Sequence, residues 1–415
     1  MDQQQTVALP QSMRYSMASL KGVSAETTLR QFASSNGSEF SPTINEIRIP
    51  VSGANGFLDV AKSYLYFVIK NKNADAGEKL TLDSDGLCWL DSIRIESQGV
   101  LLERLDRAAL YQNLKARWQK DITHVHSHES KAGGPLSFDG ANAGESIDEA
   151  KERGICCQLP LGFLHSHHGK ALPAGTQFDI VLRVNPTAAS CFVWEKADKY
   201  AFTITNPRFY CPLYRVENRE VMSEYAQVLS TRGISWDGTC VKTYVQPVSG
   251  SGPKTLQIND RSRSLKGLIS AKRVTADLTD RAKHSQSSTN ITGITQVVYN
   301  IAGRNMPQDP MQVTTTDYCR LYDECAKAFA PHGETHAKPH VKASAFVGDR
   351  GMMAVDLRRF SDERLTDVGI DTTGGSPNVL ELVCTGDNVA SDVTTYALCD
   401  CTWTIQPNGV LSASM

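Results

Sequence analysis

The chain has 415 residues, with 43 Lys or Arg against 45 Asp or Glu, a net charge of −2. That balance gives no support for a nucleic-acid-binding surface, which shows as a basic excess, and the length is past the size at which one core keeps growing, so two domains are expected. No apolar run approaches the roughly 18 residues of a membrane-spanning helix, and the start, MDQQQTVALPQSMRYS, has an acid at position 2 and no apolar core of signal-peptide length, which argues against secretion.

Residues 1–45 are rich in Ser, Gln and Thr with scattered apolar positions, and read as an N-terminal arm ordered by its neighbours. Strands follow in quick succession: Glu46–Pro50, then Phe57–Asn71, then Leu87–Glu96 and Val100–Arg104 around the turn Ser97-Gln98-Gly99. In the second of these, Tyr64, Tyr66 and Val68 point one way and Leu65, Phe67 and Ile69 the other, so both faces need a cover. Asp59 and Lys62 mark a charged corner before it. A helix is expected from Asp106, as N-cap, to Lys120, because Leu110, Leu114 and Trp118 recur on one face. Residues 121–153 carry GG, DG and NAG and read as a long surface loop. Strand patterns return at Ile155–Phe163, Gln177–Asn185 and Tyr200–Val216, with a short helix at Glu220–Leu229. Beyond Gly233 the pattern restarts, with strands at Val241–Val248, Ser264–Thr275 and Thr295–Ile301 and a helix at Asp317–Ala330. Strands at Met352–Leu357, Val379–Cys384 and Tyr396–Gln406 close the chain. Strands dominate, and the fold class is all-β, sandwich or barrel.

The halves echo one another. IRIESQG ends at Gly99 and VVYNIAG 204 positions later, at Gly303. DRAALYQNLKARW (106–118) and DYCRLYDECAKAF (317–329) are 211 apart, and Trp118 aligns with Phe329. YAFTITNPRFY from Tyr200 and YALCDCTWTIQ from Tyr396 are 196 apart. Three matches in one order indicate a duplicated domain, with the boundary at 217–238.

Several stretches also resemble the double jelly-roll major capsid proteins of icosahedral DNA viruses, the group of tailless phages, virophages and Polinton-like elements. GANGFLDVAKSYLYFVIKN (53–71) is similar to the opening strands of that family's first roll, and SIRIESQGVLLERLD (92–106) to its strand-turn-strand before a helix. LPLGFL (159–164) with ALPAGTQFDIVLRVN (171–185) resembles the later strands of the first roll. VDLRRFSDERLTDVGIDTTGGSPNVLELV (355–383) and CTWTIQPNGVL (401–411) resemble the close of the second. The resemblance implies two tandem jelly-roll sandwiches with one main helix per half: a first roll at 46–216, a linker at 217–238 and a second roll at 239–415. It also implies a homotrimeric, pseudo-hexagonal capsomer within a virion capsid assembled in the host cell. The partners it implies are further capsomers, minor capsid or penton proteins, and an internal membrane or its proteins. In such an assembly the Tyr64–Tyr66–Val68 face is covered by a neighbour; a helix or the arm lying over it is the equal alternative.

Chemistry has few handholds. Histidines cluster in HVHSH (124–128), HSHH (165–168) and HGETHAKPH (332–340), but the spacings are loose and no HExxH occurs. Asp362-Glu363 and DSDG (83–86) suit turn chemistry better than calcium. No GxSxG nucleophile elbow and no GxxxxGK[ST] phosphate loop is present, and Asp59 with Lys62 reads as a structural pair rather than an acid-base couple. The eleven cysteines are odd in number and form no CxxC; Cys156-Cys157 are adjacent and Cys399 and Cys401 two apart, which suits buried free thiols in a reducing compartment. No catalytic, cofactor-binding or metal-ligating residue is assigned, and an enzyme is not expected. The alternatives to a shell protein are a viral spike or lectin-like carbohydrate-binding sandwich, and a two-domain β-rich hydrolase. Placement of Trp89, Trp118, Trp194, Trp236 and Trp403 in or beside expected elements favours packing over glycan stacking.

Overall fold

The structure, a computed structural model, describes residues 25–53, 56–73, 77–83, 85–119, 143–165, 171–194, 201–280, 283, 286, 288–330, 337, 341, 346–348, 350–359, 368–374, 376–386, 388–407 and 409–415. Its first half runs β1 (Ala25–Ala33), β2 (Glu39–Phe40), β3 (Glu46–Ser52), β4 (Phe57–Leu58), β5 (Tyr64–Asn71), β6 (Leu80–Asp83), β7 (Leu90–Ser97) and β8 (Val100–Asp106). Helix α1 (Ala108–Gln119), β9 (Ala143–Ile147), β10 (Glu152–Cys157), β11 (Gln177–Val184), β12 (Phe192–Trp194) and β13 (Phe202–Val216) complete it. Helix α2 (Arg219–Arg232) leads to the second half. There follow β14 (Ile234–Val248), β15 (Gly252–Ile258), β16 (Leu265–Val274), β17 (Ile294–Ile301) and β18 (Arg304–Gln312). The chain closes with α3 (Cys319–Ala328), β19 (Met353–Asp356), β20 (Asn378–Cys384), β21 (Ser391–Ile405) and β22 (Leu411–Ser414).

The sheets reveal the duplication. The first half holds one sheet in the order β1-β13-β5-β10 and another in the order β3-β11-β7-β8; the second half repeats them as β14-β21-β16-β19 and β15-β20-β17-β18. Numbered along the chain within each half, the eight main strands give the orders 1-8-3-6 and 2-7-4-5 twice. Every pairing in these sheets is antiparallel. Each half is therefore a sandwich of two sheets with four main strands each, β2 and β4 adding to β13 in the first half and β22 to β21 in the second, and each main helix follows the fifth main strand. A small side sheet, β12-β6-β9, flanks the first.

The sequence echoes fall on equivalent elements. IRIESQG is the β7–β8 hairpin and VVYNIAG the β17–β18 hairpin; their turn glycines, Gly99 (φ 81°) and Gly303 (φ 79°), share a left-handed backbone that a side chain would strain. The Tyr-Ala echo falls on the same long strand of each half out of step, since Tyr396 lies inside β21 whereas Tyr200 precedes β13.

Several expectations need correction. Residues 25–33, placed in the arm, form β1, which pairs along its whole length with β13. β14 starts at Ile234, inside the expected linker, and the expected 121–153 loop ends in β9 and the start of β10. Asp106 does not cap α1: it ends β8, and its carboxylate accepts Arg104 Nε at 2.9 Å. Leu110, Leu114 and Trp118 nevertheless face the core, as do Leu321 and Phe329. All cysteines are free thiols; nine are buried, Cys156 is half-buried and Cys319 exposed.

Candidate functional site

The charged corner before β5 is a structural clamp. Lys62 Nζ sits 2.9 Å from Asp59 Oδ2, the Tyr214 hydroxyl donates to the same oxygen at 2.7 Å, and Lys62 donates to Tyr214 at 3.1 Å. These bonds fix the one-turn helix Val60–Lys62 against β13.

The richest chemistry lies where the two sandwiches meet. Trp118 of α1 is wholly buried; its ring lies 6.3 Å from Phe329, its counterpart in the echo, at an interplanar angle of 12°, with Tyr322 at 5.2 Å and Phe346 at 5.9 Å. Tyr111 packs against Tyr396 at 5.0 Å, and the Tyr396 hydroxyl donates to the Arg107 carbonyl at 2.9 Å. Thr243 donates to the Asp106 carbonyl at 3.1 Å. Phe163, in the turn Gly162–Leu164, meets both Trp236 and Trp403 edge-on. A buried polar thread crosses nearby: the Gln286 N–H donates to Asp83 at 2.6 Å, its side-chain amide donates to the Ser190 carbonyl at 2.9 Å, and Arg273 donates to its Oε1 at 3.3 Å. The DSDG turn is thus divided in role. Asp83 faces the second sandwich, while Asp85 accepts the Leu87 N–H at 2.9 Å as ordinary turn chemistry.

Glu103 on β8 is the unusual titratable group. It is buried, and its two oxygens accept the N–H groups of Gly162 at 2.9 Å and Phe163 at 2.8 Å. Burial pushes its carboxyl up to about 7, against the pull of those two donors and of Lys115. An acid whose folded pKa is raised stabilises the fold below its unfolded pKa, and that contribution is lost as pH rises through about 7. Glu103→Gln, which turns an amide NH2 toward one of the N–H donors, is expected to cost about 1–3 kcal/mol at acid pH and to flatten the pH dependence of the urea midpoint. Parallel pH profiles for the two proteins would show that folding leaves the Glu103 pKa unshifted.

A cavity of about 230 Å³ opens beside this joint, lined by Tyr111, Lys115, His165, Lys266 and Arg358 among others. Its cations are engaged: Lys266 with Asp400 at 2.5 Å, and Arg358 with Asp356 at 2.8 Å and the Ala330 carbonyl at 2.9 Å. Burial pushes His165 down to about 4, and its Nε2 lies 3.1 Å from the Leu159 carbonyl, so it is a neutral packing residue. Among the described residues no three His, Cys, Asp or Glu side chains converge to hold a metal. Residues 124–128, 166–168, 332–336, 338–340, Asp362 and Glu363 lie outside the described residues.

No family model matches the chain. No curated protein matches it either. Solved structures do. The chain is similar to the capsid of PBCV-1 virus (TM-score 0.66, 9% identity, covering 97% of this chain and 99% of that one). It is similar to the Faustovirus major capsid protein (0.64, 8%, 96% and 92%) and to a chain of the Sputnik virophage (0.61, 13%, 100% and 92%). The chain is a double jelly roll. The paired 1-8-3-6 and 2-7-4-5 sheets are its two rolls.

The rolls differ in what they leave open. In the second, β16 is buried on both faces from Leu265 to Arg273; α3 lies against it and β19, and the first roll's β8, α1 and Gly162–Leu164 meet the neighbouring β14 and β21. In the first, β5 alternates: Leu65, Phe67 and Ile69 are fully buried, and Tyr64, Tyr66 and Val68 half-buried. No helix covers that second face among the described residues; Tyr64 instead stacks on Tyr210 at 5.1 Å, whose hydroxyl reaches Gln31 of β1 at 3.3 Å. The other sheet of the first roll carries a solvated ion-pair ladder, with Arg48–Asp179 at 3.0 Å, Arg94–Glu46 at 3.2 Å and Arg94–Glu96 at 3.3 Å. Such exposed pairs contribute little stability.

Proposed function

We propose that the chain is a major capsid protein that assembles as trimeric, pseudo-hexagonal capsomers into an icosahedral virion shell inside the host cell. The supporting observation is the end-to-end match of both rolls to chains of viral capsids, over nearly the whole of each partner. Its role is structural rather than enzymatic. Further capsomers, minor capsid or penton proteins, and an internal membrane or its proteins are the partners that fit this reading; sequence-specific nucleic-acid binding is not among them. Light scattering of the purified protein should report three times 45.5 kDa, and electron microscopy should show particles. A stable monomer that binds glycan would sink the proposal in favour of a spike or lectin-like sandwich.

The segment before β1 offers a second test. Residues 1–24 are polar but carry Val7, Leu9, Met13, Met17, Leu20 and Val23, enough apolar side chains to gain burial on a neighbour. Deleting 1–40 would also strip β1 from β13, so the informative deletion stops at Ser24. It is expected to leave trimers that no longer close into shells. Complete shells from the truncated protein would remove the segment from assembly, and monomers would place it within the capsomer.

A further inference from the structure

We propose that Glu103 is a proton-operated latch on the joint between the two rolls. Protonated, it holds the Gly162–Leu164 turn in its seat on β14; ionised, it leaves the two turn N–H groups for water and Lys115 in the adjoining cleft, and the seat loosens. The latch belongs to the single chain and does not depend on the shell reading.

The turn sits hard against the second roll. A Cβ at Gly162 would meet the Thr239 carbonyl and stand 3.2 Å from the Cys240 backbone nitrogen of β14. Phe163 lies edge-on to both Trp236 and Trp403, and the Trp403 indole N–H donates at 3.4 Å to the carbonyl of Leu102, the residue before Glu103. From the first roll's side, the Gly162 and Phe163 N–H groups both end on the Glu103 carboxyl.

Few groups face that carboxyl. Helix α1 presents Lys115 and Tyr111, and β14 presents Cys240. Ile95 stands opposite on β7, and β22, which also lies on β8, has no titratable side chain. His165 at the end of the turn is neutral, with Nε2 3.1 Å from the Leu159 carbonyl. Lys115 is the cation of this set, and with Tyr111, Gly162 and His165 it lines the cleft of about 230 Å³, which has room for several waters. A carboxylate kept from water is unfavourable even with two N–H donors, and the cleft offers it water and a cation. The seated carboxyl titrates at about 7 rather than at its ordinary 4.5, so the seat is firm below the lower value and loosens as pH rises from one to the other.

Two thiols beneath the turn report its position. Cys401 stands opposite Gly238 on β21, and Cys240 is two residues beyond Gly238, so the three share a strand face. That face points into the joint, because a Cβ at Gly238 would lie 2.6 Å from the Trp403 ring and 3.1 Å from the Gly162 carbonyl. The Cys240 and Cys401 thiols touch one another, and both are buried.

The test is alkylation of the full-length protein with iodoacetamide, read thiol by thiol by mass spectrometry between pH 5 and 8. The ratio of Cys240 to the exposed Cys319 removes the pH dependence that thiols share. In the wild type this ratio is expected to rise about tenfold between pH 6 and 8, the linkage of a carboxyl that titrates at 4.5 with the turn open and at about 7 with it seated. In Glu103→Gln the ratio is expected to stay flat, whatever its level. Lys115→Gln, which leaves the turn bonds in place, is expected to move the rise to higher pH, and it is the deciding variant if Glu103→Gln does not fold. A flat wild-type ratio, the same rise in Glu103→Gln, or a rise that Lys115→Gln leaves unmoved overturns the latch. So does a rise shared by Cys325 in the core of the second roll, which would report unfolding of the roll rather than release of the turn.

Discussion

Trp118→Ala is expected to destabilise the protein by about 3–5 kcal/mol, the range for removing a fully buried large aromatic side chain. Trp118 has no exposed surface, and three rings of the second roll, Tyr322, Phe329 and Phe346, lie within 6.3 Å of it. The cavity would open between the rolls rather than inside either. Urea unfolding followed by circular dichroism measures the loss. The profile is as informative as the midpoint: rolls held together chiefly by this cluster should begin to unfold separately, and a single transition would become two. An unchanged midpoint would show that the joint repacks around the missing indole.

Gly162→Ala carries the second largest expected effect. A Cβ at Gly162 would collide with the backbone carbonyl of Thr239, closer than real Cβ atoms come to any neighbour. Across the same gap, a Cβ at Gly238 would stand 2.6 Å from the Trp403 ring and 3.1 Å from the Gly162 carbonyl. The obstacles at Gly162 are backbone atoms, so relief requires the rolls to part or the turn to move, and the turn also supplies the Gly162 N–H to Glu103. Overpacking of this kind costs about 1–3 kcal/mol, and lost turn bonds would add to it. Gly374→Ala is the control, since open space surrounds that position and its φ is unstrained. Equal melting temperatures for the two variants would mean that the close approach is relieved cheaply.

What the sequence disclosed follows from where local pattern and tertiary packing agree. The β5, β7, β11, β13 and β21 strands were legible because each has a fully buried face and an apolar rhythm to match. The main helices were legible from the four-residue spacing of Leu110, Leu114 and Trp118. β1 was not, because Ala25–Ala33 is an edge strand with polar residues on both faces, held by its ladder to β13 rather than by burial. β18 was hidden by Pro307 and Pro310, and β15 by Pro253, residues that read as breaks yet sit in strands at sheet edges. The joint was half legible: the alignment of Trp118 with Phe329 was visible, but not that the two rings would pack on each other. Glu103 gave no signal at all. A lone acid in VLLERLD reads as a surface residue until the turn at Gly162 is folded over it.

The cysteines carry a consequence for the protein in an oxidising medium. A thiol reacts with oxidants as its thiolate. Burial holds Cys88, Cys191 and Cys325 well above their ordinary pKa, and it pushes Cys211 up to about 12. These sulfurs therefore stay protonated, and oxidants in water do not reach them. Transfer to an oxidising medium is expected to add no cross-links at these four positions and to cost no packing through their oxidation. Cys319, the exposed thiol, is the one that an alkylating reagent should label first.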